Sequence, residues 1–308
     1  MAFSVQDVSV IIINYNGQEV LPRAIESVLS LHPAPAELIV LDNGSTDDSL
    51  AVIQRYSKNP LLRPIISYAN LGVAGGRNLA ASQALHPILA FLDADGEALD
   101  SWLPEALSVL NQYPDTAAVA PLVLLANGQT INGAGGIIDR YGHGYDRLWG
   151  EPLASHMDTI QQWAEQPVDY PMGCGMVIRT TGAESIWPLD DTLLKWHDDT
   201  ELGLRLARQG QKTRFAPTSR VLHRPGHSDP EHHLERHAAA ENARFYFLWK
   251  YYSPRTVLVS LAYYLVHALT GSRRDRTRLK DAANLVRFLW KNRHTARAIR
   301  HRWTTPRN

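Results

Sequence analysis

Residues 8–17 read VSVIIINYNG, and the architecture predicted for the chain starts from this stretch. Apart from Ser9, its first six residues are apolar and β-branched, which is typical of a strand buried on both faces. Polar side chains follow at Asn14 and Asn16, and the apolar residues of 18–29 then recur at helical spacing. The stretch therefore predicts a buried strand, a polar turn and a helix.

The same alternation continues to residue 92 and predicts an α/β fold. Buried strands are predicted over residues 38–41, 64–68 and 88–92, and helices over 47–56 and 74–85. This order of strands and helices predicts a mostly parallel central sheet with helices on both faces. Ligands bind such sheets beyond the carboxyl ends of the strands, which is where Asp42, Asp93 and Asp95 fall.

The segment FLDADGE, residues 91–97, has two carboxylates at the end of a buried strand. Asp93 and Asp95 can jointly hold a divalent cation, because Mg²⁺ and Mn²⁺ prefer oxygen ligands and often complete their shell with phosphate oxygens. An acidic turn that caps a helix beginning near Ser101 has the same spacing. The spacing by itself leaves both interpretations open.

The second half of the chain is less regular. A strand is predicted over residues 172–178, a helix over 198–209, a strand bent at Pro217 over 214–223, and a helix over 231–252 that ends before Pro254. The glycine-rich segment 128–150 predicts a flexible or irregular loop over the site.

Basic residues are concentrated at the end of a chain whose formal net charge is zero. Residues 271–308 contain 12 Lys and Arg against 2 Asp and Glu, with apolar residues at helical spacing among them. Such a helix can lie on an anionic membrane surface, and a solvated helical pair packed on the domain fits equally well. No nucleic-acid motif accompanies the charge, so we expect no nucleic-acid partner.

Three further features bear on the compartment. The apolar run over residues 256–270 is shorter than the roughly 20 residues that span a bilayer. The one cysteine, Cys174, excludes an intrachain disulfide and fits a reducing compartment. The N-terminus has no signal-peptide pattern. We therefore expect a cytoplasmic protein, peripheral at the inner face of the cell membrane if the basic region binds lipid.

Several segments occur together in an order that resembles glycosyltransferase family 2, whose fold is called GT-A. They are VSVIIINYNG, LIVLDNGSTDDSL, NLGVAGGRN, FLDADGE, MGCGMVIR, KWHDDTELGLRLARQG and APTSRVLHRPGHS. The resemblance covers about residues 8–250 and is nearest to the bacterial rhamnosyltransferase-like branch, which builds cell-surface polysaccharides. It implies an inverting transferase that moves a sugar from a dTDP-, UDP- or GDP-sugar to a hydroxyl group of a glycan or lipid-linked acceptor.

On the donor side, the resemblance assigns residues that follow the first strands. Asp42 would contact the base or ribose, although an Asx turn also explains an aspartate there. Glycines in GVAGGRN would let the backbone approach the nucleotide-sugar, and Arg77 would bind phosphate or the pyrimidine edge. The full donor set is Ile13, Tyr15, Asp42, Asn70, Gly75, Gly76, Arg77 and Asp93.

The resemblance also implies a metal site and a catalytic base. Asp95 and His223 would bind Mg²⁺ or Mn²⁺, with Asp93 as a ribose partner or a neighbour of the ion. Asp199 aligns with the family's catalytic aspartate and would remove the proton of the acceptor hydroxyl. Asp198 replaces the glutamate that usually precedes it, although both carboxylates would also suit a helix N-terminus. The candidates on the acceptor side are Gly173, Trp196 and Asp198.

These assignments predict a catalytic domain over residues 1–250, with a nucleotide-sugar half over about 1–97 and an acceptor half over about 98–250. A basic helical region follows over 251–308. A non-catalytic sugar-nucleotide-binding relative and a nucleotidyltransferase of similar architecture remain alternatives. The latter usually has a glycine-rich basic loop where this chain has NYNGQEV. A nicotinamide-dependent oxidoreductase is disfavoured, because no G-x-G-x-x-G follows the first strand.

Overall fold

The computed structural model describes residues 2–180, 187–193, 196–225, 233–270 and 290–291. The chain divides into two compact units. The first consists of Met1–Ile137, Tyr145–Leu194 and Asp198–Pro230, and the second of Ile138–Gly144, Lys195–His197 and Glu231–Asn308. Within the described ranges, none of the helices has the length and apolar character that crossing a bilayer requires. The domain boundary that we expect at residue 250 stays a prediction.

Four parallel strands form one side of the main sheet in the first unit. They are β1 (Val8–Asn14), β2 (Glu37–Asn43), β3 (Leu62–Ser67) and β4 (Ile88–Asp93), connected by α1 (Leu21–Leu29), α2 (Ser49–Arg55) and α3 (Gly72–Ser82). β1 lies between β2 and β4, with β3 at the edge of the sheet. This confirms the predicted alternation of strands and helices.

Beyond β4 the sheet becomes mixed. The remaining elements of the first unit and its junctions are β5 (Gly96–Ala98), α4 (Trp102–Gln112), β6 (Thr116–Leu125), β7 (Ile131–Ala134), β8 (Gly136–Ile138), β9 (Gly144–Asp146), α5 (Met157–Gln162), β10 (Pro167–Val168), β11 (Val177–Arg179), α6 (Asp198–Arg208) and β12 (Lys212–His223). The strand order is β10-β12-β6-β11-β4-β1-β2-β3, with β5 beside β12 and β7 beside β6. β11 is antiparallel to both β4 and β6, whereas β12 is parallel to β6.

Helices cover both faces of this sheet. Successive side chains of a strand point to opposite faces, and in β1 Ile12 packs with α1, α2 and α4 while Ile11 packs with α3 and α6. Trp102 of α4 is fully buried in the first of these cores, and Phe91 of β4 is buried in the second. The sheet therefore has an apolar interior on either side.

The glycine-rich segment 128–150 is not an irregular loop, and that prediction was wrong. It contains β7, β8 and β9, of which β7 belongs to the main sheet. A Cβ on Gly133 would lie 2.1 Å from the Met172 sulfur, and one on Gly136 would lie 2.2 Å from the Tyr170 ring. These glycines therefore serve close packing of strands against neighbouring side chains, a role that composition does not distinguish from loop flexibility.

Two strands next to the centre of the sheet differ from their predictions. The sequence does not predict β6, because Pro121 interrupts its apolar run; the proline is accommodated opposite Ala216, where the register of β6 and β12 shifts. That shift also accounts for the predicted bend of β12 near Pro217. β11 begins only at Val177, five residues later than predicted, after Gly175 adopts a φ of 92°.

The second unit contains α7 (His233–Tyr251) and α8 (Pro254–Thr270), which meet near Pro254 as predicted. Phe245 and Tyr264 pack edge to face, with ring centroids 5.7 Å apart. The buried Arg244 donates to the carbonyl oxygen of Tyr141 at 3.0 Å and pairs with Glu241. Most of the basic C-terminal region, residues 271–289 and 292–308, lies outside the described residues.

Candidate active site

The carboxyl ends of β1 and β2 are joined by side-chain hydrogen bonds. Asn14 Nδ2 donates to Asp42 Oδ1 at 3.1 Å, and the backbone N–H of Ser45 donates to Asp42 Oδ2 at 3.0 Å. Both Asn14 and Asp42 are buried. Asp42 therefore stabilises the turn after β2 by accepting from a backbone N–H three residues further on. It lies at the sheet edge predicted to receive the nucleotide, so it can serve the turn and a ligand together.

α3 approaches this edge closely because of its glycines. A Cβ on Gly76 would lie 3.2 Å from Ile13 Cγ2 and from Asn43 Nδ2, whereas one on Gly75 would lie 2.9 Å from Cβ of Leu71, at the start of the helix itself. Asn43 Nδ2 also donates to Asn70 Oδ1 at 3.3 Å. The structure therefore brings four of the predicted donor residues, Ile13, Asn70, Gly75 and Gly76, to the region where β1, β2 and α3 meet.

Arg77 joins two parts of the site through its buried guanidinium group. Its Nη1 lies 2.5 Å from Asp198 Oδ2 and its Nη2 lies 3.2 Å from Asp93 Oδ1, and the Phe91 ring lies beneath it at 5.7 Å. Burial opposes the charged form, but Asp198 and Asp93 outweigh burial and raise the pKa of Arg77. We predict from sequence that Arg77 binds the donor; in the structure its charge is already shared between two carboxylates.

Asp93, Asp95 and His223 converge at the ends of β4 and β12. His223 Nε2 lies 3.2 Å from Asp95 Oδ1 and 4.0 Å from Asp93 Oδ2. On the other side of the ring, Nδ1 lies 2.6 Å from Asn132 Oδ1. Because an amide oxygen only accepts, Nδ1 carries a proton and Nε2 faces the two carboxylates.

The protonation of this cluster reflects its crowding. Burial opposes protonation of His223, but Asp95 and Asp93 outweigh it and raise the pKa of the imidazole. Burial raises the pKa of Asp93, and Arg77 and His223 counteract that effect. Two carboxylate oxygens and one imidazole nitrogen are suitable ligands for Mg²⁺ or Mn²⁺, and Asn132 orients the imidazole as metal-site neighbours commonly do. The residues therefore fit a divalent cation.

Cys174 lies beside this cluster. Among the side chains that the structure describes, Asp93, Cys174 and His223 form a group whose ligand atoms all lie within 4.8 Å of one another. Burial raises the pKa of the Cys174 thiol well above its ordinary value, so the sulfur stays protonated. A neutral thiol is a poor ligand for Mg²⁺ or Mn²⁺, which favour oxygen. The carboxylates and His223 are therefore the better candidates for ligands.

Asp199 is held at the start of α6 by backbone hydrogen bonds. Its Oδ2 accepts from the N–H of Gly173 at 3.1 Å, and its Oδ1 accepts from the N–H of Thr200 at 2.7 Å. Burial, together with the carboxylates of Asp198 and Asp146, raises the pKa of Asp199 to about 7, although the charge of Arg77 acts in the opposite direction. Asp198 is buried against Arg77, whereas Asp199 remains partly exposed.

Gly173 lies where Arg77 and Asp199 meet. A Cβ on Gly173 would lie 2.6 Å from Arg77 Nη2, while the Gly173 N–H holds Asp199. The absence of a side chain thus lets the guanidinium reach Asp198 past the turn that precedes β11. Among the predicted acceptor-side residues, Asp198 and Gly173 are contacts of Arg77. Trp196 has a left-handed backbone, φ 74°, and belongs to the second compact unit.

Asp146 and Tyr170 are residues of this site that the sequence does not reveal. Tyr170 Oη donates to Asp146 Oδ1 at 3.1 Å, the Tyr170 ring occupies the space left by Gly136, and Cβ of Tyr170 lies against Gly203. Burial raises the pKa of Asp146. Asp146 comes from a segment predicted to be irregular, and Asn132 follows no motif. The one feature of the sequence that could have pointed to this pair is the position of Asp146 within the glycine-rich segment 128–150 and of Tyr170 shortly before Gly173. Tyr15, for comparison, lies just beyond β1 and is exposed, as a base-stacking residue would be.

Comparison with known sequences adds independent information. Residues 9–179 match the family described as "Glycosyl transferase family 2". An uncharacterized glycosyltransferase of Nostoc sp. is 32% identical over 192 residues, which cover 61% of this chain and 55% of that protein. The N-acetylglucosaminyl-diphospho-decaprenol L-rhamnosyltransferase of Mycobacterium tuberculosis is 25% identical over 74% of this chain and 80% of its own. The match thus spans little more than half the length of the first relative.

Solved structures share the fold. GalNAc-T7 with UDP, GalNAc and Mn²⁺ superposes with a TM-score of 0.63 at 20% identity, covering 80% of this chain and 48% of that one. The mannosyltransferase PcManGT from Pyrobaculum calidifontis, in complex with GDP-Man and Mn²⁺, gives a TM-score of 0.56 at 15% identity over 96% of this chain and 84% of its own. The predicted family, the GT-A fold and the enzyme class are thereby confirmed: the chain belongs to glycosyltransferase family 2.

Proposed function

We propose that this protein is an inverting glycosyltransferase in which Asp199 is the general base. The observation that carries the proposal is the difference between two adjacent carboxylates. Asp198 is buried in an ion pair with Arg77, whereas Asp199 is partly exposed and has a pKa of about 7. A carboxylate with a pKa near the working pH is partly ionised there and still basic enough to accept a hydroxyl proton.

The reaction follows from this arrangement. As the oxygen of the acceptor hydroxyl bonds to the anomeric carbon, its proton passes to the Asp199 carboxylate. The bond from the anomeric carbon to the diphosphate oxygen breaks, and its electron pair leaves with the nucleoside diphosphate. Attack from the face opposite the leaving group inverts the anomeric centre, by the geometry that inverting glycosidases use. The N–H groups of Gly173 and Thr200 keep the carboxylate oriented throughout.

The donor side would use the strand ends already described. We propose that Asp42 and Tyr15 contact the nucleoside, with Ile13, Asn70, Gly75 and Gly76 lining the same region. Asp93, Asp95 and His223 would hold Mg²⁺ or Mn²⁺, with Asn132 orienting His223. When bound, a divalent cation neutralises negative charge that develops on the leaving diphosphate. Arg77 would fix the distance between Asp93 and α6.

The acceptor is proposed by analogy with the relatives. The mycobacterial relative is named for a rhamnosyl transfer to a lipid-linked diphosphate sugar, and another, 28% identical over 70% of this chain, is named an O-antigen biosynthesis protein. We propose a lipid-linked or glycan acceptor in cell-surface polysaccharide or glycolipid synthesis, with a dTDP-, UDP- or GDP-sugar as donor. Such an acceptor would place the protein at the cytoplasmic face of the membrane.

The test is release of nucleoside diphosphate from a panel of sugar nucleotides, with and without Mn²⁺ or Mg²⁺. We expect Asp199→Asn to lower kcat by about 10²- to 10⁴-fold, because the amide cannot accept the proton. Nucleotide-sugar affinity should change little. Asp158→Asn, which changes an exposed aspartate of α5, is the matched control.

Full activity of Asp199→Asn would remove Asp199 from the base role. Binding of a sugar nucleotide without turnover would instead support the non-catalytic alternative, and absence of both turnover and binding with every donor would contradict the proposed reaction. Retention of the anomeric configuration in the product would contradict the single displacement.

A further inference from the structure

Beyond the exposed Arg255, the outer face of α8 is apolar. Residues 256–270 contain no Asp, Glu, Lys or Arg. Four of the large apolar side chains of α8 are exposed to solvent: Leu258 by 65%, Val259 by 46%, Tyr263 by 53% and Val266 by 55%. Their spacing of one, four and three residues puts them on one side of a helix. We call these four residues the outer stripe.

The inner face of α8 is packed within the second unit. Ser260 and Tyr264 are buried, and Tyr264 packs edge to face against Phe245 of α7. A helix that is buried on one side and solvated on the other ordinarily has charged residues on the solvated side. The outer stripe has apolar residues instead, and contiguous exposed apolar surface marks a site of interaction.

The charge next to the outer stripe favours one kind of partner. α8 leads directly into residues 271–308, with their 12 Lys and Arg against 2 Asp and Glu. A second copy of the chain docked on the stripe would bring two such basic segments together and be opposed by their repulsion. An anionic lipid surface offers an apolar phase for the stripe and opposite charge for the segment. Trp290 is also 65% exposed, and tryptophan favours the membrane–water boundary.

We propose that the outer stripe of α8 lies in the interface of an anionic membrane. The helix would lie along the surface with its apolar side chains among the upper acyl chains. Membrane binding through the outer stripe would keep an enzyme with a lipid-linked acceptor near its substrate. The inference rests on the proposed function for its purpose, but membrane binding itself is measured without any sugar donor.

The experiment is flotation of the full chain with vesicles of phosphatidylcholine alone and of phosphatidylcholine mixed with phosphatidylglycerol. We expect binding to the mixed vesicles and little to the neutral ones. The double variant Leu258→Gln/Val266→Gln should bind mixed vesicles about tenfold more weakly or worse, because two side chains lose their apolar transfer. Leu85→Gln, which changes a 75% exposed leucine of the first unit, should bind like the wild type.

Four outcomes would overturn the proposal. They are unchanged flotation of the double variant, an equal loss with Leu85→Gln, a dimer in sedimentation velocity that the double variant dissociates, and a melting temperature lowered much more by the double variant than by Leu85→Gln. The third would show that a second copy covers the stripe, and the fourth that the chain covers it itself. Nucleoside diphosphate binding by the same variants reports separately on the catalytic unit.

Discussion

Neighbouring residues at the start of α6 differ in environment although they are chemically identical. Asp198 faces the guanidinium of Arg77, and Asp199 faces backbone N–H groups and the open side of the site. Burial is the largest cause of the raised pKa of Asp199, and the negative charge of Asp198 is the second largest. The acidic residue beside the base would therefore tune the base rather than hold the acceptor.

We predict that Asp198→Asn moves the acidic limb of the kcat/KM profile to lower pH. In the wild type this limb should lie near pH 7, because activity falls as Asp199 becomes protonated. Removing the charge at 198 lowers the pKa of Asp199, so the base stays ionised to lower pH. The side-chain oxygen of the asparagine can still accept a hydrogen bond from Arg77, so the guanidinium keeps a partner. The pH profile is measured at saturating Mn²⁺. An acidic limb that stays in place or moves to higher pH would contradict this tuning role.

The resemblance to a family predicts much of the site and misses specific neighbours. Asp93, Asp95 and His223 lie together, as expected if they bind one ion, although their roles stay predictions. Asn132 and Asp146 come from segments outside the matched motifs, and Cys174 lies within MGCGMVIR but was assigned no role. Their contacts arise only when β7, β9 and the turn before β11 meet at the same edge. Those contacts depend on tertiary packing, which local patterns do not encode.

At the scale of elements, regular alternation made the first hundred residues predictable. Their strands bury both faces and join through helices, so periodicity and topology point to the same structure. The second half is built from short strands whose partners lie far apart in sequence: β11 has three residues and pairs with both β4 and β6. Few residues determine each of these pairings, which is why their bounds were harder to predict.

The close approach of α6 to the segment between β10 and β11 leads to a prediction for Gly203. A Cβ there would lie 2.1 Å from the carbonyl oxygen of Asp169 and 2.6 Å from Tyr170 Cβ. Gly203→Ala should lower the free energy of unfolding by roughly 1–3 kcal/mol in chemical denaturation, because the helix must move away. The same shift should lower kcat, since α6 carries Asp199.

Ala207→Ser on the exposed side of α6 is the matched control for Gly203→Ala and should change stability by less than about 0.5 kcal/mol. Wild-type stability and wild-type activity of Gly203→Ala would show that a Cβ at this position does not force α6 away from Asp169 and Tyr170, which would contradict the prediction.

At the scale of the whole molecule, the chain combines a nucleotide-sugar fold with a basic end. The zero net charge conceals this separation, because residues 271–308 carry a formal charge of +10 and residues 1–270 carry −10. Sequence composition showed the separation directly, whereas the outer stripe of α8 required the structure, since a buried apolar helix and an exposed one have the same sequence pattern.

We predict that nucleoside diphosphates stabilise the protein in a metal-dependent way. Among UDP, dTDP and GDP, the one matching the donor should raise the melting temperature in the presence of Mn²⁺, with stabilisation of about 2.7 kcal/mol at a hundred times Kd. His223→Ala should abolish the part of the shift that requires Mn²⁺. His32→Ala, at an exposed histidine, should leave it intact. A shift of equal size with and without Mn²⁺ in the wild type would argue against the ion.

The buried guanidinium of Arg77 has a consequence for how the protein is made. Its partners lie 16 and 121 positions further along the chain, at Asp93 and Asp198. A buried charge that lacks one of its partners is destabilising by roughly 3–5 kcal/mol. During synthesis the first four strands would thus leave the ribosome with an incompletely neutralised arginine at their edge. The nucleotide-binding edge should become stable only when α6 emerges, which couples its folding to the arrival of the base.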